Sequence, residues 1–379
     1  MTELNFAVIG PHRRGRISLL AHRPNDGLKL VAACAANLEN LEEYQTTCGD
    51  DFLLTTNYED LLRHPDVHAI FVCTPDHWHK EHAVAALNAG KHVFLEKPMA
   101  VTIADCDHIL AAAEKSSGKL YIGHNMRFFP VVRKMHELIA QGRIGRVEAI
   151  WCRHFISYGG DAYFKDWHSE RKNTTSLLLQ KGAHDIDVIH YLAGAYSQRV
   201  VGMGKLSVYN ETANRRREDE AVSVTFNRDN WPPHRQTGLS PVIDVEDHSM
   251  IMMQLDNGVQ ASYQQCHYTP DDFRNYTVIG TEGRLENSGD HSTRTQWATV
   301  HLWNRRMGYQ EQGNEVFRIP NIGGSHGGAD PLMVEDFIQF LRAGTTRGAT
   351  LRDARMAVAV GCLGAESLRN GSCPFDIPE

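Results

Sequence analysis

The first 125 residues repeat one unit, a short apolar run followed by a helix-length segment, and that repeat limits the fold more than any other feature of the chain. Asn5–Ile9 reads as a buried strand stopped by Gly10, with a helix-compatible stretch from Arg14 to His22. Leu28–Ala33 reads as a second strand, and Val67–Val72, ended by Pro75, as a third. Residues 77–89 carry Ala83, Val84, Ala86 and Leu87 at helical spacing, with Gly90 placed to stop the helix. His92–Leu95, Thr102–Ser116 (a helix capped by Thr102) and Leu120–Ile122 continue strand, helix, strand. Strands separated by helices pair in parallel through right-handed crossovers, so 1–125 is expected to be α/β, a doubly wound parallel sheet.

After Arg146 the texture changes. Val147–Arg153, Val200–Val208, Ala221–Phe226, Ser249–Leu255 and Val259–Cys266 are strand-like with shorter connections, and Asp256-Asn257-Gly258 is a hairpin signal. Residues 126–379 are therefore expected to form an α+β domain with a large, open, mainly antiparallel sheet. One helix, Gly182–Leu192 closed by Gly194, interrupts it. Helices over 329–343 and 350–369 end the chain and are expected to pack back toward the first domain. Arg228–Pro241 and Ser288–Thr295 read as exposed polar loops.

Composition excludes several classes. Lys and Arg number 39 against 46 Asp and Glu, a net charge of −7, which offers no basic field to a nucleic acid. Met356–Ala365, the longest near-apolar stretch, is far shorter than the roughly 20 residues that span a bilayer. The N-terminal Met-Thr-Glu-Leu-Asn-Phe enters a strand at once and carries no export signal. Eight cysteines stand singly, with no C-x-x-C pair, as reduced thiols in a cytoplasmic protein do. His64/His68, His79/His82 and His124 have no third ligand in a supporting motif, so no metal is expected.

The turn after the first strand, Gly10-Pro-His12-Arg13-Arg14-Gly15, keeps two glycines of a G-x-G-x-x-G dinucleotide fingerprint and puts His12 in place of the middle one. A helix N-terminus there offers N–H groups to a phosphate, and His12, Arg13 or Arg14 can add donors. The ribose-binding acid expected after the second strand is missing, because Ala35-Ala36-Asn37 stands there. No Arg or Lys at Asn37 favours a 2′-phosphate, so the cofactor reading leans to NAD with NADP left open.

Cys73-Thr-Pro-Asp-His-Trp-His79, followed by Ala89-Gly-Lys-His-Val-Phe-Leu-Glu-Lys-Pro98, strongly resembles the glucose–fructose oxidoreductase / inositol dehydrogenase / rhizopine-catabolism (Gfo/Idh/MocA) family. Agreement continues through Gly123–Pro130, Gly142–Val147, Gly280–Gly283 and the two final helices, covering nearly the whole chain. The resemblance implies an N-terminal Rossmann domain, a C-terminal domain whose open sheet carries the substrate site and an oligomer interface, and a nicotinamide cofactor. It implies a proton-transfer role for Lys97, with Glu96 as a positioning group. Thr74, Pro75, His77, His79, Asn125 and Arg127 fall on the cofactor side by the same likeness, Arg127 also toward substrate. A solvated lysine at a strand end is the plain alternative for Lys97.

The family's second signature, Asp-x-Gly-x-His-x-x-Asp, corresponds to Gln180-Lys181-Gly182-Ala183-His184-Asp185-Ile186-Asp187. Gly182, His184 and Asp187 match. His184 and Asp187 are three apart and share a helical face, and histidine trades protons near neutrality. The leading Asp is Gln180, which cannot titrate, with Lys181 beside it. Either Asp185 or Asp187 takes over part of that work, or Lys97 and His184 act without it. In Tyr163–Lys172, Trp167 can face a sugar ring and Arg171 or Lys172 can grip an acidic substituent, as substrate contacts alongside Tyr163, Gln180 and Lys181; a plain loop is the other reading. The resemblance implies an NAD(P)-dependent oxidoreductase acting on a secondary hydroxyl of a sugar or cyclitol, as a homodimer or homotetramer. An NAD-dependent glycoside hydrolase using transient C3 oxidation, possible on an anionic glycoside, and a non-catalytic cofactor-binding sensor are the alternatives.

Overall fold

Parallel strands need cover on both faces, and the first 128 residues are built accordingly. In the computed structural model, which describes residues 3–290 and 297–379, contacts group Met1–Phe128 with Ala329–Arg355 and Phe129–Gly328 with Met356–Glu379. The first unit holds a six-stranded parallel sheet, in the order β3-β2-β1-β4-β5-β6. Its strands are β1 (Leu4–Ile9), β2 (Leu28–Cys34), β3 (Leu53–Thr55), β4 (Ala69–Val72), β5 (His92–Glu96) and β6 (Leu120–Gly123). Every residue of β4 is buried. Far along the chain, the helix Ala329–Ala343 supplies Phe337, whose ring lies 5.4 to 6.3 Å from those of Phe6, Phe71, Phe94 and Tyr121. The strand order reverses beside β1, which places a crevice at the carboxyl ends of β1 and β4.

The stretch expected as a helix from Arg14 is a 3₁₀ helix, Arg13–Ala21. Its opening turn is closed by a bond from the Gly15 N–H to the His12 carbonyl, three residues back. The helix Ile103–Lys115 does begin on Thr102, whose hydroxyl accepts the Asp105 N–H.

The second unit is a nine-stranded sheet, β14-β13-β12-β11-β7-β10-β9-β8-β15, antiparallel except for the β7/β10 pair. The strands are β7 (Val147–Phe155), β8 (Ser197–Lys205), β9 (His248–Leu255), β10 (Gln260–Cys266), β11 (Phe273–Gly280), β12 (Gly283–Ser288), β13 (Trp297–Trp303), β14 (Glu315–Pro320) and β15 (Phe375–Asp376). Alternation puts Ile251, Met253 and Leu255 inside and leaves Met250 and Met252 outside. With Met203 and Trp151 they put exposed apolar side chains on one face of this sheet, among polar ones such as Gln264 and Arg153. The helix Gly182–Ala193 covers the other face along β7 and β10 and ends on Gly194 in the left-handed conformation. The closing helix Leu351–Arg369 begins in the first unit and continues in the second.

Two expectations fail here. Ala221–Phe226 forms no strand: among the described residues it is almost wholly exposed and pairs with neither sheet. Arg228–Pro241 is not exposed throughout, because Leu239 is buried against Tyr163, Phe164 and Tyr209. Of the loop read at Ser288–Thr295, residues 291–295 lie outside the described residues, as do positions 1 and 2 of the chain's start. No helix among the described residues is long and apolar enough to cross a membrane.

Candidate active site

At the crevice of the first unit the two matching glycines are sterically required. Gly10 has φ +82°, and a Cβ there would lie 2.8 Å from the Cys73 carbonyl oxygen. A Cβ on Gly15 would lie 1.9 Å from the Gly10 carbonyl oxygen. The turn is therefore folded tightly onto the end of β4. His12, in the place of the middle glycine, is exposed and its Nε2 lies 2.9 Å from the Asn37 carbonyl oxygen, just past β2. Arg13 is exposed in the left-handed region at φ +46°. Arg14 turns inward, its Nε 2.6 Å from Glu96 Oε1 and its Nη1 2.6 Å from Asp330 Oδ2. Burial opposes the Arg14 charge, and the two carboxylates outweigh it, raising its pKa above the usual arginine value. A positive-φ glycine at the switch point, with no room for a Cβ, fits a bound dinucleotide, which Gly10, His12, Arg13, Gly15 and Asn37 would hold.

Lys97 follows β5 directly, half-buried, and its backbone N–H donates to Glu96 Oε2 at 3.2 Å. The buried His79 ring sits between two carbonyls, Nδ1 2.7 Å from Pro98 and Nε2 3.0 Å from Thr74. Burial pushes its pKa down to about 4, so near neutrality it is uncharged and donates to only one of them. His79 thus ties the Thr74-Pro75 turn to the Glu96-Lys97-Pro98 turn. The Thr74 hydroxyl faces His82 Nδ1 at 3.2 Å, while Pro75 and His77 are half-buried. Asn125 donates to Asp330 Oδ1 at 3.1 Å, and Arg127 pairs with Asp353 at 3.0 Å, all four buried. His64 and His68 accept the Asp66 and Asn5 backbone N–H groups.

In the second unit, Gly182 starts its helix pressed on β10, where a Cβ would be 2.9 Å from the Tyr263 ring. His184 is half-buried; Gln180 and Asp187 are buried. Asp185 is sealed: Arg274 Nε lies 3.1 Å away, His154 Nδ1 3.3 Å, and the Tyr276 hydroxyl donates to it. Despite its burial, Arg274 and His154 hold its carboxyl well below the usual range. Arg274 donates to His154 Nε2 at 3.0 Å and reaches Asp290 at 3.2 Å. Burial, then Arg274, pushes His154 down to about 4. Asp185 is thereby committed to a buried ion pair and does not titrate near neutrality. Lys181 stands differently, its Nζ 5.5 Å from the Tyr158 ring centroid and 5.4 Å from that of Tyr163. Trp167 stacks on His168 at 3.6 Å between centroids. Arg171 is exposed and paired with Glu246 at 3.1 Å, and Lys172 with Glu170 at 2.7 Å. Sequence reasoning missed Asp330, Asp353 and Arg274, whose importance lies in partners that no local motif announces.

A 3-2-1-4-5-6 parallel sheet with a glycine turn at its switch point defines a dinucleotide-binding α/β domain, here joined to an open-sheet α+β unit. Residues 4–124 match the oxidoreductase family's NAD-binding Rossmann fold, and residues 136–377 match the same family's C-terminal alpha/beta domain. The chain belongs to the Gfo/Idh/MocA oxidoreductase family. Levoglucosan dehydrogenase of Pseudarthrobacter phenanthrenivorans is 24% identical, covering 100% of this chain and 99% of that protein. The 1-carboxy-3-chloro-3,4-dihydroxycyclohexa-1,5-diene dehydrogenase of Comamonas testosteroni is 33% identical over 50% of this chain and 47% of its own. A solved levoglucosan dehydrogenase in complex with NADH shares the fold, with a TM-score of 0.80 at 21% identity over 100% of both chains.

Proposed function

We propose that this protein is a nicotinamide-dependent oxidoreductase acting on a secondary hydroxyl of a sugar, cyclitol or sugar derivative. The observation that carries the reading is Lys97, placed by β5 at the carboxyl edge of the parallel sheet and backed by Glu96 and by the His79 tie to Pro98. When bound, a nicotinamide ring supplies the hydride exchange that no side chain can perform. The chain's own contribution is alignment and proton movement. Lys97 Nζ takes the hydroxyl proton in oxidation and returns it in reduction. Glu96, bonded to the Lys97 N–H and to Arg14, serves to position the Lys97 turn. His184 serves as the second proton-transfer group, with Asp187 on the same helical face to orient it. NAD is preferred, since neither Asn37 nor Glu39 offers a cation to a 2′-phosphate. The Gln180 substitution supports a second reading, redox-neutral hydrolysis of a glycoside through transient C3 oxidation.

One experiment separates them. Purified protein, mixed with NAD or NADP and a sugar and cyclitol panel, is expected to build up reduced cofactor, and Lys97→Ala is expected to lose 10²- to 10⁴-fold of that rate, on the order of a general acid–base contribution. Aglycone release from nitrophenyl glycosides without net reduced cofactor favours hydrolysis; neither signal ends both readings. The exposed Trp151, Met203, Met250 and Met252 face is proposed to be covered by a second copy, cytoplasmic like the first, as a homodimer or homotetramer. A monomeric mass in size-exclusion chromatography with light scattering contradicts it.

A further inference from the structure

Lys181 carries more information than the motif it interrupts. It is the residue before the helix Gly182–Ala193, one turn ahead of His184, and only partly exposed. Its ammonium lies against the rings of Tyr158 and Tyr163, and among the described residues it makes no ion pair with a carboxylate. The neighbouring cations do: Arg171 is spent on Glu246, Lys172 on Glu170, and Arg274 on Asp185 and Asp290. Tyrosine rings soften the loss of water around an ammonium without cancelling its charge.

The groups around it are donors. Burial pushes the Tyr163 hydroxyl up to about 12 against the pull of Lys181, so it stays protonated. The Tyr163 ring also meets His267 edge-on at 5.3 Å and His168 at 5.1 Å. His168 is held by Asp166 at 2.6 Å. His267 is fully buried, with neither ring nitrogen in a hydrogen bond among the described residues. A half-buried cation that leans on two phenols therefore stands, among the described residues, with no carboxylate to balance it.

We infer that Lys181, with the Tyr158 and Tyr163 hydroxyls, binds a carboxylate borne by the substrate, so that the substrate class is an acidic sugar or cyclitol rather than a neutral one. This rests on the proposed oxidoreductase reading and sharpens it. A single ammonium flanked by phenols matches the single charge of a carboxylate; a phosphate dianion would favour a second cation, and Arg171, Lys172 and Arg274 are already paired. A group anchored at Lys181 lies one helical turn from His184, which fixes which end of the substrate faces the proton-transfer residue.

The test is calorimetric titration of full-length protein, with and without NAD, using D-glucuronate, D-galacturonate and D-gluconate against D-glucose, D-galactose and D-glucose 6-phosphate. At least one acid is expected to bind tenfold or more tighter than its neutral counterpart. Lys181→Met is expected to bring that ratio to about one while keeping wild-type NAD affinity. Should Lys181→Met fail to fold, Tyr158→Phe is expected to cut acid binding threefold or more. Neutral sugars binding as well as the acids, no acid binding at all, the phosphate binding tightest, or a ratio unchanged in Lys181→Met would each overturn the inference. Absence of NAD binding in the same titrations strikes the oxidoreductase reading instead, and the acid preference is still read without dinucleotide.

Discussion

Two arginines in this protein each stand between two carboxylates, and their surroundings differ. Arg14 joins Glu96 to Asp330 with 28% of its side chain exposed, at the edge of the parallel sheet. Arg274 joins Asp185 to Asp290 with 7% exposed, inside the antiparallel unit. The same three charges serve different ends. With both carboxylates buried and only the arginine reaching water, the first cluster holds the glycine turn and the Lys97 turn in register. Sealed from water, it is a lock that cannot lose one member without stranding another.

The sharpest way to break that comparison is Asp185→Asn. Removing one partner of a buried pair is expected to cost about 3–5 kcal/mol of stability, read by urea denaturation. A loss under about 1 kcal/mol would show that Asp290 alone suffices for Arg274.

Next in size is acid. Each unit buries one histidine pushed down to about 4, His79 in the first and His154 in the second. A base held below its ordinary value of about 6.5 gives stability that is complete above that pH and drains as pH falls toward the folded value. From pH 7 to pH 5 each is expected to withdraw about 2 kcal/mol, at about 1.4 kcal/mol per unit below 6.5. Denaturation midpoints measured across that range should fall, and His154→Gln should flatten the slope. A midpoint indifferent to pH contradicts the burial of both rings.

The smallest effect belongs to Glu96→Gln. Arg14 keeps Asp330 and is itself partly exposed, so a stability loss smaller than that of Asp185→Asn is expected in the same urea titration. A loss matching that of Asp185→Asn would erase the distinction between the two clusters.

How much was legible follows from where each signal resides. Gly10, Gly15, the Thr102 cap, the Asp256–Gly258 hairpin and the Gly194 stop are local, each decided by sterics or one short hydrogen bond, and each is where the sequence placed it. Ala221–Phe226 has a strand's composition yet stays almost wholly exposed and pairs with neither sheet among the described residues, which a local pattern cannot know. Asp330 meets Arg14 and Asn125 across more than 200 residues, and Arg274 meets Asp185 across a sheet. Such partners are fixed by topology, so the carboxylates that hold the motif were invisible while the motif itself was plain. Arg171 and Lys172 invited an anion-gripping role from their charge alone, whereas Lys181 has no acidic partner among the described residues.

The open sheet face has a chemical corollary. Met203, Met250 and Met252 present thioethers at its surface, and peroxide turns a thioether into a polar sulfoxide. Oxidative stress would therefore turn its methionines polar and weaken any assembly built on this face.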